Sequence, residues 1–384
     1  MSLLTSTLVL SLALAGGVSP SDQQAQASER PRPSAEGTEL TNGWALFTEG
    51  KMEQALARAD RVLATNPGSV AAFVLAIEAE VARGRSAAAL TRYEAWIGAR
   101  QLEEPSFLRR IAKGVLRELA GANPNPARLD ALDALAQEGD AEAIVTLHQG
   151  VKTSNLAEAR VLARKGDEAA VKVLVDDLKR TGGRSMSAVE ALGESGSSLA
   201  VAALADLLAH GFPEIRGSAV EALGKLGAKH KTAARIKPLL NDPVSFVRLK
   251  AAAALLALGD VSGLPMLQEL AGQENPTGRL MAIQAMASQP GPEWQAQVRQ
   301  LLSADAPEVR VGAARLLLPY QPEVARPILE AAMNDQNPAI REMASETFVE
   351  GLLITDLPAL RRLLKGADLV VRARAAGRIL ELLR

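Results

Sequence analysis

Residues 213–224 read Pro213-Glu-Ile-Arg216, then Gly-Ser-Ala-Val, then Glu221-Ala-Leu-Gly224, and the arginine of that stretch returns along the chain at a nearly fixed interval. Arg216, Arg248, Arg279, Arg310, Arg341 and Arg372 are separated by 32, 31, 31, 31 and 31 residues. Each stands near the start of a segment rich in Ala and Leu, which hold a helix at the least conformational cost. Helix-start chemistry precedes most of them: Asn275-Pro276, Asn337-Pro338, Asp242-Pro243, Ala306-Pro307 and Phe212-Pro213. Asn or Asp accepts from the free N–H groups of a first turn, and Pro has no N–H to leave unpaired there. Gly224, Gly227 and Gly259 then read as helix stops. A second helix is expected after each, over 233–240, 264–271, 292–302, 323–333 and 357–364. Upstream the pattern degrades: Ser185 and Asn155 stand where the arginine is expected, while Gly166, Gly193 and Gly196 keep the turns, so about eight units are counted over residues 127–384.

On "Pro213-Glu-Ile-Arg216…Glu221-Ala-Leu-Gly224", "Pro307-Glu-Val-Arg310" and "Leu369-Val-Val-Arg372" the C-terminal two thirds resembles the HEAT repeats, in particular the short Ala-rich bacterial form associated with phycobilisome lyases. The resemblance implies an all-α solenoid of stacked hairpins. It also implies a structural role for the six arginines, as a ladder reaching acidic or carbonyl groups of the preceding unit. An anion-binding stripe is the other reading of the column, and the ladder is preferred because a planar guanidinium suits bidentate bridging.

A second period, of 34 residues, precedes the first: Gly50 aligns with Gly84, Ala55 with Ala89 and Val62 with Trp96, and Pro67 closes the first unit. This resembles the tetratricopeptide repeat, a 34-residue helical hairpin with a small residue at the turn, Ala at the helix contact and Pro at the exit. Gly50 and Gly84 suit a turn needing positive φ. Trp44, Phe47, Phe73, Tyr93 and Trp96 are expected in the core of these hairpins, over residues 39–121, with 105–119 as a capping helix.

The 384 residues include 48% hydrophobic, 23% charged and only 3% aromatic side chains, a mix suited to closely packed helices. A formal net charge of -1 offers no basic excess for counterion-driven nucleic-acid binding, so no nucleic-acid partner is expected. Leu3 to Ala15 is an apolar run of 13 residues, shorter than the roughly 20 that span a membrane. Followed by Gly16-Gly17 and the small-x-small pattern Ala25-Gln26-Ala27, it reads as a signal peptide over residues 1–27 with a Pro- and Ser-containing linker over 28–38. A periplasmic or secreted location and no membrane span in the mature chain are therefore expected. The chain has no cysteine, which excludes disulfides, a thiol nucleophile and an acylated lipoprotein anchor.

Chemistry-bearing motifs are sparse. His148, His210 and His230 fit no metal-ligand spacing. Gly193-Glu-Ser-Gly196-Ser-Ser198 misses the nucleophile-elbow spacing by one residue. Gly217 to Lys225 lacks the spacing and the hydroxyl of a phosphate loop. The reading is a non-enzymatic scaffold, with no cofactor, that binds a protein or peptide partner on the concave face of a solenoid. A bilin-lyase-like enzyme or accessory subunit is the alternative that the resemblance carries.

Overall fold

The computed structural model describes residues 35–384 except 101–102, 123, 228–230 and 288–292. The expected signal peptide, with Ala25 and Ala27, and His230 lie outside the described residues. Apolar side chains at helical spacing build every element, and no strand occurs among the described residues. In chain order the helices are α1 (Ala35–Thr48), α2 (Met52–Thr65), α3 (Val70–Ala82), α4 (Ser86–Arg100), α5 (Pro105–Gly121), α6 (Arg128–Gln137), α7 (Ala141–Lys152), α8 (Leu156–Ala163), α9 (Glu168–Thr181), α10 (Met186–Glu194) and α11 (Ser198–Asp206). They continue as α12 (Pro213–Leu226), α13 (Ala233–Ile236), α14 (Ser245–Ala257), α15 (Leu264–Ala271), α16 (Pro276–Met286), α17 (Glu293–Leu301), α18 (Pro307–Leu317), α19 (Pro322–Ala332), α20 (Pro338–Glu350), α21 (Leu357–Leu363) and α22 (Leu369–Leu382).

The helices divide into two compact units, one up to Ala79 and one from Glu80 to Arg384. In the first, Ala55, Leu56, Ala59, Leu75, Ala76 and Ala79 form the buried core, with Trp44, Phe47 and Leu40 packed on it. Ala55 at zero exposure lets α1 and α2 approach, and Gly50 makes the turn between them at φ 79°. Ser69 and Asn66, on the turn that holds Pro67, donate to Glu36 of α1.

In the second unit α7 to α22 are eight successive hairpins arranged in two layers. The inner layer is α6, α8, α10, α12, α14, α16, α18, α20 and α22, each packed on the next; the other helices lie behind. Small residues set the spacing. A Cβ on Gly193 of α10 would stand 2.7 Å from the Cα of Ala222 in α12, and one on Gly224 of α12 would stand 2.9 Å from the Cβ of Ala254 in α14. Gly224 and Gly193 are thus helix-interior contact points rather than the expected stops; Gly227 and Gly259, at φ 84°, are the stops. The expected second helix over 233–240 is split into the one turn of α13 and a 3-10 turn at Lys237–Asn241, where Pro238 removes a backbone donor.

The inner layer does not end as an open arc. Its last helix, α22, packs against α5 and α6, where the layer begins. Gly377 of α22 brings the two backbones together, and a Cβ there would stand 3.3 Å from that of Ala134 in α6. Ion pairs flank the seam: Arg361 and Lys365 of the α21 region meet Glu94 and Glu103 of the α4–α5 region, and Arg384 meets Glu138 at 3.0 Å. Beneath them the buried Tyr93 hydroxyl donates to Glu103 at 2.7 Å and accepts from the Glu104 N–H. Burial, then the bond to Glu103, pushes this phenol above its ordinary value. The inner helices therefore close into a ring whose first and last members cap each other, which meets the need of a repeat array to cover its terminal apolar faces.

Candidate functional site

Each of the six periodic arginines is the fourth residue of its helix, in α12, α14, α16, α18, α20 and α22. That position aims the guanidinium back at the turn preceding the helix. Nη1 of Arg310 donates to the carbonyls of Ala304 and Asp305, Nη1 of Arg341 to Asp335 and Gln336, Nη1 of Arg248 to Asp242 and Pro243, and Nη1 of Arg216 to His210 and Gly211. Arg216 also makes a bidentate pair with the carboxylate of Asp242, both bonds at 2.8 Å. Arg279 reaches Gln300 at 3.4 Å, and the Nε atoms of Arg279 and Arg372 are buried without a hydrogen-bond partner. The contacts differ from those expected. Four of the arginines bind the turn of their own unit, because position four of a helix overlies the loop that enters it, and Arg216 and Arg279 reach the unit that follows. Ser185 and Asn155 are N-caps of α10 and α8; the corresponding fourth positions are Val189 and Ala159.

Bridging between units is done by other residues. Arg128 meets Glu158 at 2.9 Å, Lys165 meets Asp133 at 2.6 Å, Arg164 meets Glu194 at 3.0 Å, Lys225 meets Glu194 at 3.1 Å and Lys250 meets Glu221 at 2.6 Å. Arg374 of α22 reaches Glu342 at 3.3 Å on one side and Asp130 of α6 at 3.8 Å on the other. Apart from Arg374 with Asp130, these opposite charges stand about one repeat apart in sequence, a signal present in the chain but obscured by the more regular arginine column.

The inward face of the ring carries side chains exposed to solvent, among them Glu190, Glu194, Glu221, Lys225, Gln284, Glu346 and Glu350. At the seam a cavity of about 320 Å³ is bounded by Asp130, Asp133, Glu346, Glu350, Arg374 and Arg378. Burial, opposed by Arg374 and reinforced by Asp133, Glu342 and Glu346, raises the carboxyl of Asp130 above its ordinary value. Further round, a cavity of about 280 Å³ is lined from α12, α14 and α16 and one of about 380 Å³ from α14, α15 and α16, with Leu249 and Met281 in both linings. His148 lies 3.6 Å from Asp167 on the surface, and the ring of His210 accepts the N–H of Phe212. Gly217 lies inside α12 under the ring of Phe246, where a Cβ would come within 2.7 Å. In the N-terminal unit and at the start of the second, Gly50 and Gly84 take φ 79° and 68°, and Ala55 and Ala89 are fully buried.

The sequence profile of HEAT repeats matches residues 184–257, 201–287 and 263–348, the span in which the arginine and glycine contacts recur. The chain carries HEAT repeats. Among solved structures this HEAT array is similar to human deoxyhypusine hydroxylase, at 19% identity over 74% of this chain and 99% of that one with a TM-score of 0.33. It is also similar to the CpcE–CpcF complex of phycocyanin lyase from Nostoc sp. PCC7120, at 19% identity over 68% of this chain and 97% of that one with a TM-score of 0.38. Neither likeness bears on activity. No curated protein matches the chain.

Proposed function

We propose that the chain is an exported, non-enzymatic scaffold that takes a protein or peptide partner on the inward face of its HEAT ring, with TPR-like hairpins at its N-terminal end. The observation that supports this reading is the ring itself: nine inner helices present an unbroken inward surface of exposed charged and apolar side chains. Closure sharpens what that surface can hold. A regular ring of nine helices at axial spacings of about 9 Å, less helix radii of about 5 Å, leaves an opening roughly 15 Å across. That admits one helix or one or two extended strands, and a folded domain docks on a rim instead. Export rests on the N-terminal sequence pattern, and no helix among the described residues is long and apolar enough to cross a membrane.

The test is crosslinking of the full-length tagged protein in living cells, followed by separation of envelope from cytosol and mass spectrometry. A processed chain in the envelope fraction, joined through inward residues such as Glu190 to one or two stoichiometric proteins, is the expected result. An unprocessed cytosolic chain carrying pigment or nucleic acid overturns the reading.

A further inference from the structure

Away from the seam, Glu194 meets Arg164 and Lys225 of the units on either side, and Glu221 meets Lys250. Where α22 closes on α6 the charges do not cancel. Asp130 of α6 lies 3.8 Å from Nε of Arg374, too far for a hydrogen bond. That guanidinium is already engaged by α20, reaching the Glu342 carboxylate at 3.3 Å and donating to the Glu342 carbonyl and the Ser345 hydroxyl at 3.1 Å. Glu346 and Glu350 follow Glu342 at intervals of four on the same helix and line the seam cavity with Asp130. Neither makes an ion pair among the described residues. The other cations around the cavity are committed elsewhere: Arg164 to Glu194, Lys165 to Asp133, Arg378 to Glu381 and the Leu352 carbonyl, and Arg384 to Glu138. Arg128, two residues before Asp130, turns to Glu158 of α8, Arg109 of α5 to Glu138, and Arg117 of α5 to Asp140 before α7.

We infer that the seam is a proton-linked clasp: α22 seats on α6 more firmly with Asp130 neutral, so acid holds the ring shut more tightly than neutral pH does. Closing the ring brings Glu342 and Glu346 toward a carboxylate that already has Asp133 one turn away, and covers it with a helix. Like charges in a partly desolvated pocket repel, and one long contact to Arg374 offsets only part of that repulsion. Burial comes first in holding the Asp130 carboxyl above its ordinary value, opposed by Arg374 and reinforced by Asp133, Glu342 and Glu346. Above the unfolded value of about 3.9 the folded chain then keeps a proton that the unfolded chain has released. The stability this adds is complete in acid and is lost as pH rises through the folded value. The Asp242 carboxyl, held at both oxygens by Arg216, responds with the opposite sign.

The test is urea denaturation of the full-length protein at a series of pH values from neutral downward. Asp130→Asn keeps the shape and removes the charge, so its midpoint should lie above the parent's at neutral pH, and the gap should close as pH falls through the folded value of Asp130. With Glu346→Gln already in place, the further gain from Asp130→Asn should be smaller, because one of the repelling carboxylates is gone. Gly377→Leu, which wedges α22 from α6, should abolish the gain, since the seam then no longer covers Asp130. Circular dichroism checks that the wedged variant is folded; if it is not, Gly377→Val takes its place. An Asp130→Asn midpoint at or below the parent's at neutral pH, or an Asp130→Asn chain that does not fold, overturns the inference and makes the pair with Arg374 a net stabiliser. A gain of one size at every pH also overturns it, because shape rather than charge is then at work. So does a gain that survives the wedge, which would place the repulsion within α6 and not at the seam.

Discussion

Arg310 shows what one residue of the periodic column does. Its Nη1 holds two carbonyls of the turn before α18, at 2.7 and 2.8 Å, and the residue is half-buried. Hydrogen bonds from a charged donor contribute about 1.5–3 kcal/mol each way of counting, since the carbonyls lose their partner on truncation. Arg310→Ala should therefore lower stability by about that amount in a urea melt; a variant that melts with the parent but no longer crosslinks to a partner would instead make the column a binding stripe. Arg216 gives the same reasoning a pH dependence. The hydrogen bond from Arg216 holds the Asp242 carboxyl below its ordinary range, with the Val244 N–H adding to it and burial opposing. A carboxyl depressed in the folded state adds stability above its unfolded value of about 3.9 and loses it as pH falls through the folded value. Asp242→Asn should thus cost stability at neutral pH, and the gap from the parent should close as pH falls through the folded value. An equal gap at both ends of thermal melts run across that range would mean that the pair contributes through shape rather than charge.

At the scale of the helix, the glycines divide by environment. Gly193→Ala drives a methyl against the backbone of Ala222 at 2.7 Å and should cost about 1–3 kcal/mol, the usual penalty for overpacking. Gly98, inside α4 with nothing within 4 Å of its missing Cβ, should gain about 0.5–1 kcal/mol on replacement by Ala, since the unfolded chain loses freedom. Chemical denaturation of the two variants side by side checks both signs. The sequence does not separate these cases, because a glycine at a helix contact and a glycine at a helix stop are written alike. Pro213, Pro276, Pro307 and Pro338 were readable as first-turn residues, and each occupies that place. Pro243 does not, since α14 begins two residues later at Ser245. The cavity linings were less readable than the helices. Leu249 and Met281 both look like core at helical spacing, and Leu249 is buried while Met281 is only partly so.

For the second unit as a whole, closure changes how the array should come apart. An open repeat array behaves as a row of nearest neighbours, and its terminal helices open first. Here α22 is covered by α5 and α6, with Ala375, Ala376 and Ile379 at zero exposure. Nothing in the 31-residue period announces this contact, because Glu94 with Lys365 and Glu138 with Arg384 lie at opposite ends of the array and belong to no repeat. Native-state hydrogen exchange should find amides of α22 protected about as well as those of α12. A bulky side chain at the seam tests whether that protection is shared. Gly377→Leu should wedge α22 from Ala134, which has only 3.3 Å to offer a Cβ, and exchange should then quicken in α5 and α6 as well as in α22, while α12 and α14 change least. Faster exchange confined to α22 would mean that the last helix is merely laid on the first. A matched loss on both sides of the seam, separated by some 240 residues of chain, can arise only if the ring holds its two ends in one cooperative unit.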